Sequence, residues 1–301
     1  MAIIHRRAAA AIAALLLTGS VAAAALLFDD FSYTDGAQLE QGGWQRRVAA
    51  GHPGPAGAQW LPVGVTLVDD EERPGNRLLR LDAATDGTPT GTRQAQLCHA
   101  RKFFRGTYAA RVRFTDAPAV GPDGDPAIQA FYAIGALRHD FDPEFSELDF
   151  EYLPNGGWGS ERTRLYAISW HTVQIEPWQA FNSAHEEFGS QAGWHLLTMV
   201  VEAQETRHYL DGKLLKRHRG RNVPVTPMSI NFSLWFSPAG LLPDATERRY
   251  HFDVDWVLHV KDRSLRPAEV LAEVRRLRRQ GISFRDTVAP AEPPLRSECR
   301  L

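Results

Sequence analysis

Residues 146–152 read SELDFEY, and an acidic residue occupies every second position of this stretch. Successive side chains of a β-strand point to opposite faces, so the three acids would form one row while Leu148, Phe150 and Tyr152 face a core. Asp and Glu are poor strand formers, and like charges on one face of a strand repel each other. Local stability therefore does not favour this pattern, which indicates that the acidic row serves a chemical purpose.

The spacing of the two glutamates in the row is compatible with sugar hydrolysis. Glu147 and Glu151 are four residues apart, which places their Cα atoms roughly 13 Å apart in a strand. Two carboxyl groups that flank a glycosidic bond are the usual machinery of this reaction, and retaining enzymes hold them about 5–5.5 Å apart. Both side chains are long enough to lean toward each other along the strand. Because neighbouring like charges raise a pKa, one carboxyl group of the row can stay protonated while another is ionised.

The chain between residues 77 and 261 reads as short β segments separated by turn residues, which is typical of a sandwich or a barrel. Asp211-Gly212 is a strong hairpin signal, because both positions tolerate positive φ. Short turns favour antiparallel pairing, and two packed sheets are needed to bury the many Phe, Trp and Val side chains. We therefore predict an all-β antiparallel sandwich, with long loops at residues 116–126 and 178–193. The predicted strands span residues 77–82, 107–114, 128–137, 146–153, 163–171, 196–202, 206–210, 213–217, 228–236 and 250–261.

The composition changes after Lys261, where one short helix is predicted. Residues 267–279 place four apolar side chains on one helical stripe, with a proline at the start and a glycine beyond the end. The arginine-rich last turns suit the negative end of the helix dipole. This helix either contacts an anionic surface or docks on the domain, and we favour docking. The Pro-rich tail from residue 287 to 301 is expected to be loosely held.

The amino terminus has the pattern of a secretory signal peptide over residues 1–25. His5-Arg6-Arg7 gives the charged start, and an apolar run with small residues at its exit follows. A membrane anchor is the alternative, but the apolar run is short and a soluble domain begins at once. We expect a secreted protein without a stable membrane anchor. The domain proper then spans residues 26–262, and a C-terminal helix and tail span residues 263–301.

The net charge bears on the possible binding partners, and the cysteine content bears on a possible disulfide. The formal net charge is −2, whereas binding to nucleic acid or to a membrane surface needs a strong basic excess. We therefore expect no nucleic-acid partner, and we expect a monomer. Cys98 and Cys299 are the only cysteines; an oxidising compartment would permit their pairing, but Cys299 lies in the tail, so the pairing stays open.

The chain resembles the family 16 glycoside hydrolases, a family of concanavalin A-like jelly-roll glucanases. Residues 147–151 match the family's Glu-x-Asp-x-Glu signature in the version without an inserted residue. Three further blocks match in order: residues 103–114 resemble the strand that opens with a Gly-Arg-Tyr/Phe-Glu-type segment, residues 193–213 resemble the hairpin, and residues 254–257 resemble the last strand. The resemblance covers residues 28–261 and implies a concanavalin A-like sandwich.

This resemblance implies a role for each acid of the row. Glu147 would be the nucleophile, Asp149 the helper between the two glutamates, and Glu151 the general acid/base. No cofactor is required for this chemistry. The implied activity is a secreted, retaining endo-glycosidase acting on a β-linked polysaccharide, with β-glucan favoured over galactan. A lectin-like carbohydrate-binding protein and a transglycosylase are the alternatives on the same fold.

Sugar rings stack on aromatic side chains, so aromatic residues near the acids are candidates for substrate binding. Phe145 shares the face of Glu147, and Trp235 aligns with a tryptophan that faces the cleft in the family. Trp170 and His171 are adjacent in a strand and cannot both face a cleft, and we choose His171. The predicted substrate-binding residues are Phe145, Trp235, Tyr132, His171 and Trp158.

Asp255 is the one candidate metal ligand. It matches a position at which several relatives bind a structural calcium, so the resemblance makes a calcium site possible. The alternative is an ordinary aspartate on a surface strand, because one or two acids do not make a calcium site without backbone carbonyl groups.

Overall fold

The computed structural model describes residues 24–297 and Cys299. The predicted signal peptide lies outside these residues except for Ala24 and Ala25. Within the described part of the chain, no helix is long and apolar enough to cross a membrane.

Within residues 24–297, the chain forms seventeen strands and two α-helices. The strands are β1 (Leu26–Asp29), β2 (Trp44–Arg46), β3 (Gln59–Trp60), β4 (Val65–Asp69), β5 (Arg77–Thr85), β6 (Arg93–His99), β7 (Gly106–Phe114), β8 (Ala127–Ile134), β9 (Glu147–Leu153), β10 (Arg164–Gln174), β11 (Gln179–Phe188), β12 (Gly193–Val201), β13 (Glu205–Leu210), β14 (Lys213–Arg219), β15 (Ser229–Phe236), β16 (Arg248–Lys261) and β17 (Phe284–Asp286). The helices are α1 (Ala37–Gln41) and α2 (Pro267–Arg279).

The strands form two antiparallel sheets that pack face to face. The first sheet runs β4–β5–β16–β7–β12–β13–β14, and β1 and β17 extend it beside the C-terminal half of β16. The second sheet runs β2–β6–β15–β8–β9–β10–β11, so the acidic strand β9 lies in its interior. The predicted antiparallel sandwich is confirmed.

The core between the sheets fixes the direction in which the acidic strand faces. Leu148, Phe150 and Tyr152 are fully buried in it, as the alternating pattern predicts. The ring of Phe150 lies 5.0 Å from that of His208 on β13 of the first sheet. Because these three side chains point inward, the acids between them must stand on the outer face of the second sheet.

All ten predicted strands are confirmed, with ends shifted by a few residues. Strand β11 corrects the prediction of a long loop at residues 178–193: it is an edge strand that pairs with β10 over ten residue pairs. Its side chains are mostly exposed or half-buried, so its sequence lacks the apolar alternation by which a strand is recognised.

Helix α2 is confirmed as a docked surface helix. Val270, Val274 and Leu277 are buried against the outer face of the first sheet, where they meet Phe28 and Trp256. Capping contacts at residues 266 and 269 close its first turn.

The C-terminal tail is fastened to the sandwich rather than loosely held. A disulfide joins Cys299 to Cys98 on β6, with Cα atoms 5.8 Å apart, and this settles the pairing that the sequence leaves open. The ammonium group of Lys102 donates to the Asp286 carboxylate and to the Val288 carbonyl. The tail is thus attached beside the edge of the second sheet.

Candidate active site

The three acids stand in one row on the outer face of the second sheet. Strand pairing places Glu147 directly opposite Trp170 on β10 and Asp149 opposite Tyr132 on β8. Asp149 is buried, whereas Glu147 and Glu151 are half-buried. The sequence pattern predicts this arrangement, and the geometry agrees with it.

The row forms the floor of a cleft of about 650 Å³. Of the five predicted substrate-binding residues, Phe145, Tyr132, Trp158 and Trp235 line this cleft. None of the lining residues is a lysine or an arginine. The cleft therefore presents carboxyl groups, aromatic rings and a few neutral polar groups to a ligand.

His171 does not line the cleft, and its neighbour Trp170 does. The choice of His171 is wrong because Trp170 pairs directly with Glu147 and shares its face of the sheet, so the next residue does not. Strand β10 also has a bulge between residues 170 and 172. Trp170 lies on the face of Glu147, and the extra residue at the bulge moves the cleft-facing positions from even to odd numbers, so that Val173 is next.

Two aromatic residues beside Trp170 are absent from the predicted set, as is Tyr166 near Glu151. Trp178 packs edge to face on Trp170 with ring centroids 6.0 Å apart, and the ring of His52 stacks on Trp178 at 5.7 Å. His52 lies in the loop before β3, far from the acids in sequence, so no local pattern connects it to the site. Together these three rings form a wall beside Glu147.

Hydrogen bonds connect the acids to this wall and to each other. The indole N–H of Trp170 donates to Oδ2 of Asp149. The carboxyl groups of Asp149 and Glu147 are also in hydrogen-bond contact, which lowers the pKa of Glu147 and raises that of Asp149. These two carboxyl groups can therefore share a proton.

A buried polar chain supports Tyr132 from behind. The Arg47 guanidinium donates to the Gln96 side-chain oxygen at 2.9 Å, and the Gln96 amide donates to the Tyr132 hydroxyl oxygen at 2.6 Å. Burial, followed by the charge of Glu147, raises the pKa of the Tyr132 hydroxyl group, and a hydrogen bond with Ser233 acts in the opposite direction.

Burial and mutual repulsion shift the pKa values of all three acids upward. Burial, followed by the charge of Glu151, raises the pKa of Glu147 to about 8. Burial, followed by the charge of Asp149, raises the pKa of Glu151 well above its ordinary value. Burial and repulsion therefore favour the protonated forms of these acids, and the hydrogen bond with Asp149 opposes this effect at Glu147.

Comparison with solved structures identifies the architecture. The β-glucanase of Bacillus licheniformis superposes with a TM-score of 0.56 at 15% identity, covering 79% of this chain and 98% of that protein. A family 16 endo-glucanase of Bacteroides ovatus gives 0.57 at 13% identity, over 76% and 98%. A β-1,3-1,4-glucanase (lichenase) from a mouse hindgut metagenome gives 0.54 at 18% identity, over 78% and 99%.

The chain has the fold of the family 16 glycoside hydrolases. The jelly-roll fold that the sequence resemblance implies is thus confirmed. No protein-family model matches the sequence, and no curated protein is detectably similar to it. The likeness to the family 16 structures is therefore one of fold.

Asp255 does not fit the predicted calcium site. Its carboxylate is fully buried and accepts hydrogen bonds or ion pairs from the guanidinium groups of Arg73 at 2.8 Å, Arg278 at 2.9 Å and Arg111 at 3.0 Å. Asn76 donates to the same carboxylate. Three cations already surround this group, so a divalent ion would meet strong repulsion. Among the described residues, no group of three or more His, Cys, Asp or Glu side chains could hold a metal ion.

Proposed function

We propose that this protein is a retaining endo-glycosidase that hydrolyses a β-linked polysaccharide, with β-glucan as the substrate. The observation that carries the proposal is the row of three carboxyl groups on the floor of an aromatic cleft. A retaining reaction needs one ionised and one protonated carboxyl group on either side of the same bond. The hydrogen bond with Asp149 and the raised pKa of Glu151 support that division.

The reaction proceeds in two displacements. The Glu147 carboxylate attacks the anomeric carbon, while Glu151 gives its proton to the departing glycosidic oxygen; the glycosidic C–O bond breaks and a glycosyl ester of Glu147 forms. Glu151, now ionised, then takes a proton from water. The resulting hydroxide attacks the anomeric carbon, the ester bond breaks, and Glu147 leaves as a carboxylate. Both glutamates end in their starting states.

Exposed aromatic residues flank both ends of the acidic row, which supports an endo-acting enzyme that binds a long glycan chain. Trp178 flanks the Glu147 end through Trp170, and Trp158 flanks the Glu151 end through Tyr166, to which its ring lies 5.3 Å away. Trp158 and Trp178 are 48% and 52% exposed, so each offers accessible aromatic surface to a sugar. The lack of lysine and arginine in the cleft lining favours an uncharged glycan.

The β-glucanases that share this fold support β-glucan as the first substrate to test. A lectin-like protein on the same sandwich would have no use for a protonated and an ionised carboxyl group in one row, which favours the enzyme. A transglycosylase would share every catalytic residue and differ only in the acceptor. Product analysis with and without an added acceptor sugar separates hydrolysis from transfer.

The decisive experiment incubates the purified protein with mixed-linkage β-glucan, β-1,3-glucan and neutral galactans, and measures new reducing ends. The parent is expected to release oligosaccharides, and Glu147→Gln and Glu151→Gln are each expected to lose at least about 10³-fold in kcat, because each removes a chemical participant. Glu161→Gln, which changes an exposed acid after β9, is the control. Full activity in either catalytic variant, or binding without cleavage by the parent, would refute the proposal.

We further propose that the protein is exported and acts as a monomer outside the cell. The charged and apolar amino-terminal segment supports export. Amino-terminal sequencing of protein recovered from the culture medium tests this proposal. A mature chain beginning near Leu26 is expected, whereas full-length protein retained in the cell would contradict it.

A further inference from the structure

We infer that Trp170 is a positioning residue whose indole N–H holds Oδ2 of Asp149 and thereby stabilises the negative charge that Asp149 and Glu147 share. This inference rests on the proposed function, because it assigns Glu147 the role of nucleophile. It adds a residue outside the acidic row to the machinery of that row. It also gives Trp170 a role different from that of a platform for sugar stacking.

The indole N–H of Trp170 determines which oxygen of Asp149 accepts a hydrogen bond. The indole N–H of tryptophan is a donor only, so the Asp149 Oδ2 that it contacts must accept. An oxygen that already accepts this proton is a poor place for a second one. Oδ1 of Asp149 is therefore left for the hydrogen-bond contact with Glu147.

The register between β9 and β10 places Trp170 within reach of Asp149. Trp170 is paired directly with Glu147 across β9 and β10, so its side chain rises from the sheet beside the nucleophile. Its long indole reaches diagonally to Asp149, two residues further along β9. A shorter donor at this position would not span the same distance, and His171 next to it lies outside the cleft lining.

Packing against neighbouring side chains holds the indole of Trp170 in this orientation. The ring of Trp170 meets that of Trp178 edge to face. It also packs against a buried cluster that contains Phe145 and Val173. Because the ring is held on both sides, the N–H stays directed at Asp149 in the absence of substrate.

Other titratable groups also face the pair formed by Asp149 and Glu147. Glu151 lies on the same strand, Tyr132 faces it from β8 with the Arg47 guanidinium behind, Tyr166 faces it from β10, and His52 faces it from the loop before β3. A change at Trp170 that keeps an aromatic ring leaves these charges in place. A changed proton affinity of the row can then be assigned to the lost N–H.

Trp170→Phe tests the inference because it removes the N–H and keeps a ring. We expect kcat/KM on the best glycan of the parent to fall about 10–100-fold, the cost of one hydrogen bond to a charged group. The fall should be mainly in kcat, and the acidic limb of the pH profile should move upward by about one pH unit. Trp178→Phe, which changes a neighbouring ring without a bond to the acids, should alter KM and leave the limb in place. A rise in KM alone for Trp170→Phe would show a stacking platform and overturn the inference.

A readout without catalysis separates this inference from the proposed function. Burial raises the pKa of Asp149 well above its ordinary value, and the bond from Trp170 acts against that rise. Loss of the bond raises the pKa further, so the fall of Tm with rising pH should continue to a higher pH in Trp170→Phe than in the parent. Parallel Tm profiles would overturn the inference, whereas a parent inactive on every glycan would overturn the proposed function alone.

A second pair of variants does not depend on the folding of a changed Trp170. In Asp149→Asn, the amide oxygen can accept from the indole and the amide N–H can donate to Glu147, so the proposed hydrogen bonds persist. Asp149→Leu has a similar size and makes neither bond. We expect the Asn variant to retain at least about ten times the kcat of the Leu variant. Equal losses in the two variants would contradict the inference.

Discussion

Arg278 on α2 donates from its guanidinium group to Oδ1 of Asp255 on β16 at 2.9 Å, across 23 residues of sequence. The same guanidinium group also lies 3.4 Å from the Asp30 carboxylate next to β1. This ion pair joins the C-terminal helix to the outer face of the first sheet. The helix is therefore held by charge as well as by the buried stripe of Val270, Val274 and Leu277.

Arg278→Gln should destabilise the protein by about 1–3 kcal/mol, less than the full loss of a buried ion pair, because Arg73 and Arg111 still neutralise Asp255. Thermal unfolding of the variant beside Arg279→Gln measures this effect. Arg279 is exposed on the same helix, so its replacement should leave Tm within about 1 °C. Equal Tm values for the two variants would mean that the ion pair does not hold the helix.

Calcium should not stabilise this protein, in contrast to the possibility that the family resemblance raises. The Asp255 carboxylate already has three guanidinium neighbours, which would repel a further cation. We expect Tm values in millimolar calcium and in excess EDTA to agree within about 1 °C. A calcium-dependent rise of several degrees, measured after dialysis against chelator, would contradict this prediction.

Reduction of the Cys98–Cys299 disulfide should lower the stability by about 2–5 kcal/mol, because the bond closes a loop across 201 residues of sequence. The loss can be measured as a fall in Tm with a thiol reductant. The double variant Cys98→Ala/Cys299→Ser should have this lower Tm with or without reductant. If the reductant lowers the Tm of parent and double variant alike, its effect does not come from this bond.

Glu147→Gln should stabilise the protein at alkaline pH while it abolishes activity. Folding raises the pKa of Glu147 from its ordinary value of 4.5 to about 8, chiefly by burial. A raised pKa contributes stability below pH 4.5 that is lost as the pH rises toward 8, since the folded state must then ionise the group or keep its proton at a cost.

The variant has no such group, so its Tm should exceed that of the parent by at least about 2–4 °C at pH 8. The difference should shrink toward zero at pH 4. Glu161→Gln, at an exposed site, should follow the parent at both pH values. A constant Tm difference across this range would show that burial does not raise the pKa of Glu147.

Local patterns predict the parts of this fold that repeat at short range. The alternation of residues 146–152 fixes both the acidic row and its buried opposite face, because a strand has a period of two. The hairpin at Asp211-Gly212 joins β13 and β14 as its turn residues indicate. In these two elements, the residues of one short segment are enough to predict its structure.

Contacts between residues that are far apart in the sequence could not be predicted from it. The register of β10 against β9 decides whether Trp170 or His171 faces the cleft, and the bulge toward β11 decides which residues follow. The partners of Asp255 come from residues 73, 111 and 278, which no local pattern brings together. His52 reaches the wall beside Glu147 from a loop that precedes most of the sandwich.

The position of the disulfide also constrains the order of events during biosynthesis. Cys98 is fully buried on β6, yet its partner is made 201 residues later. Covalent closure can follow only after all the strands described above have been synthesised. A polypeptide that stops short of residue 299 would keep a reduced thiol at position 98, which makes thiol-reactive labelling under denaturing conditions a direct assay for full-length, oxidised product.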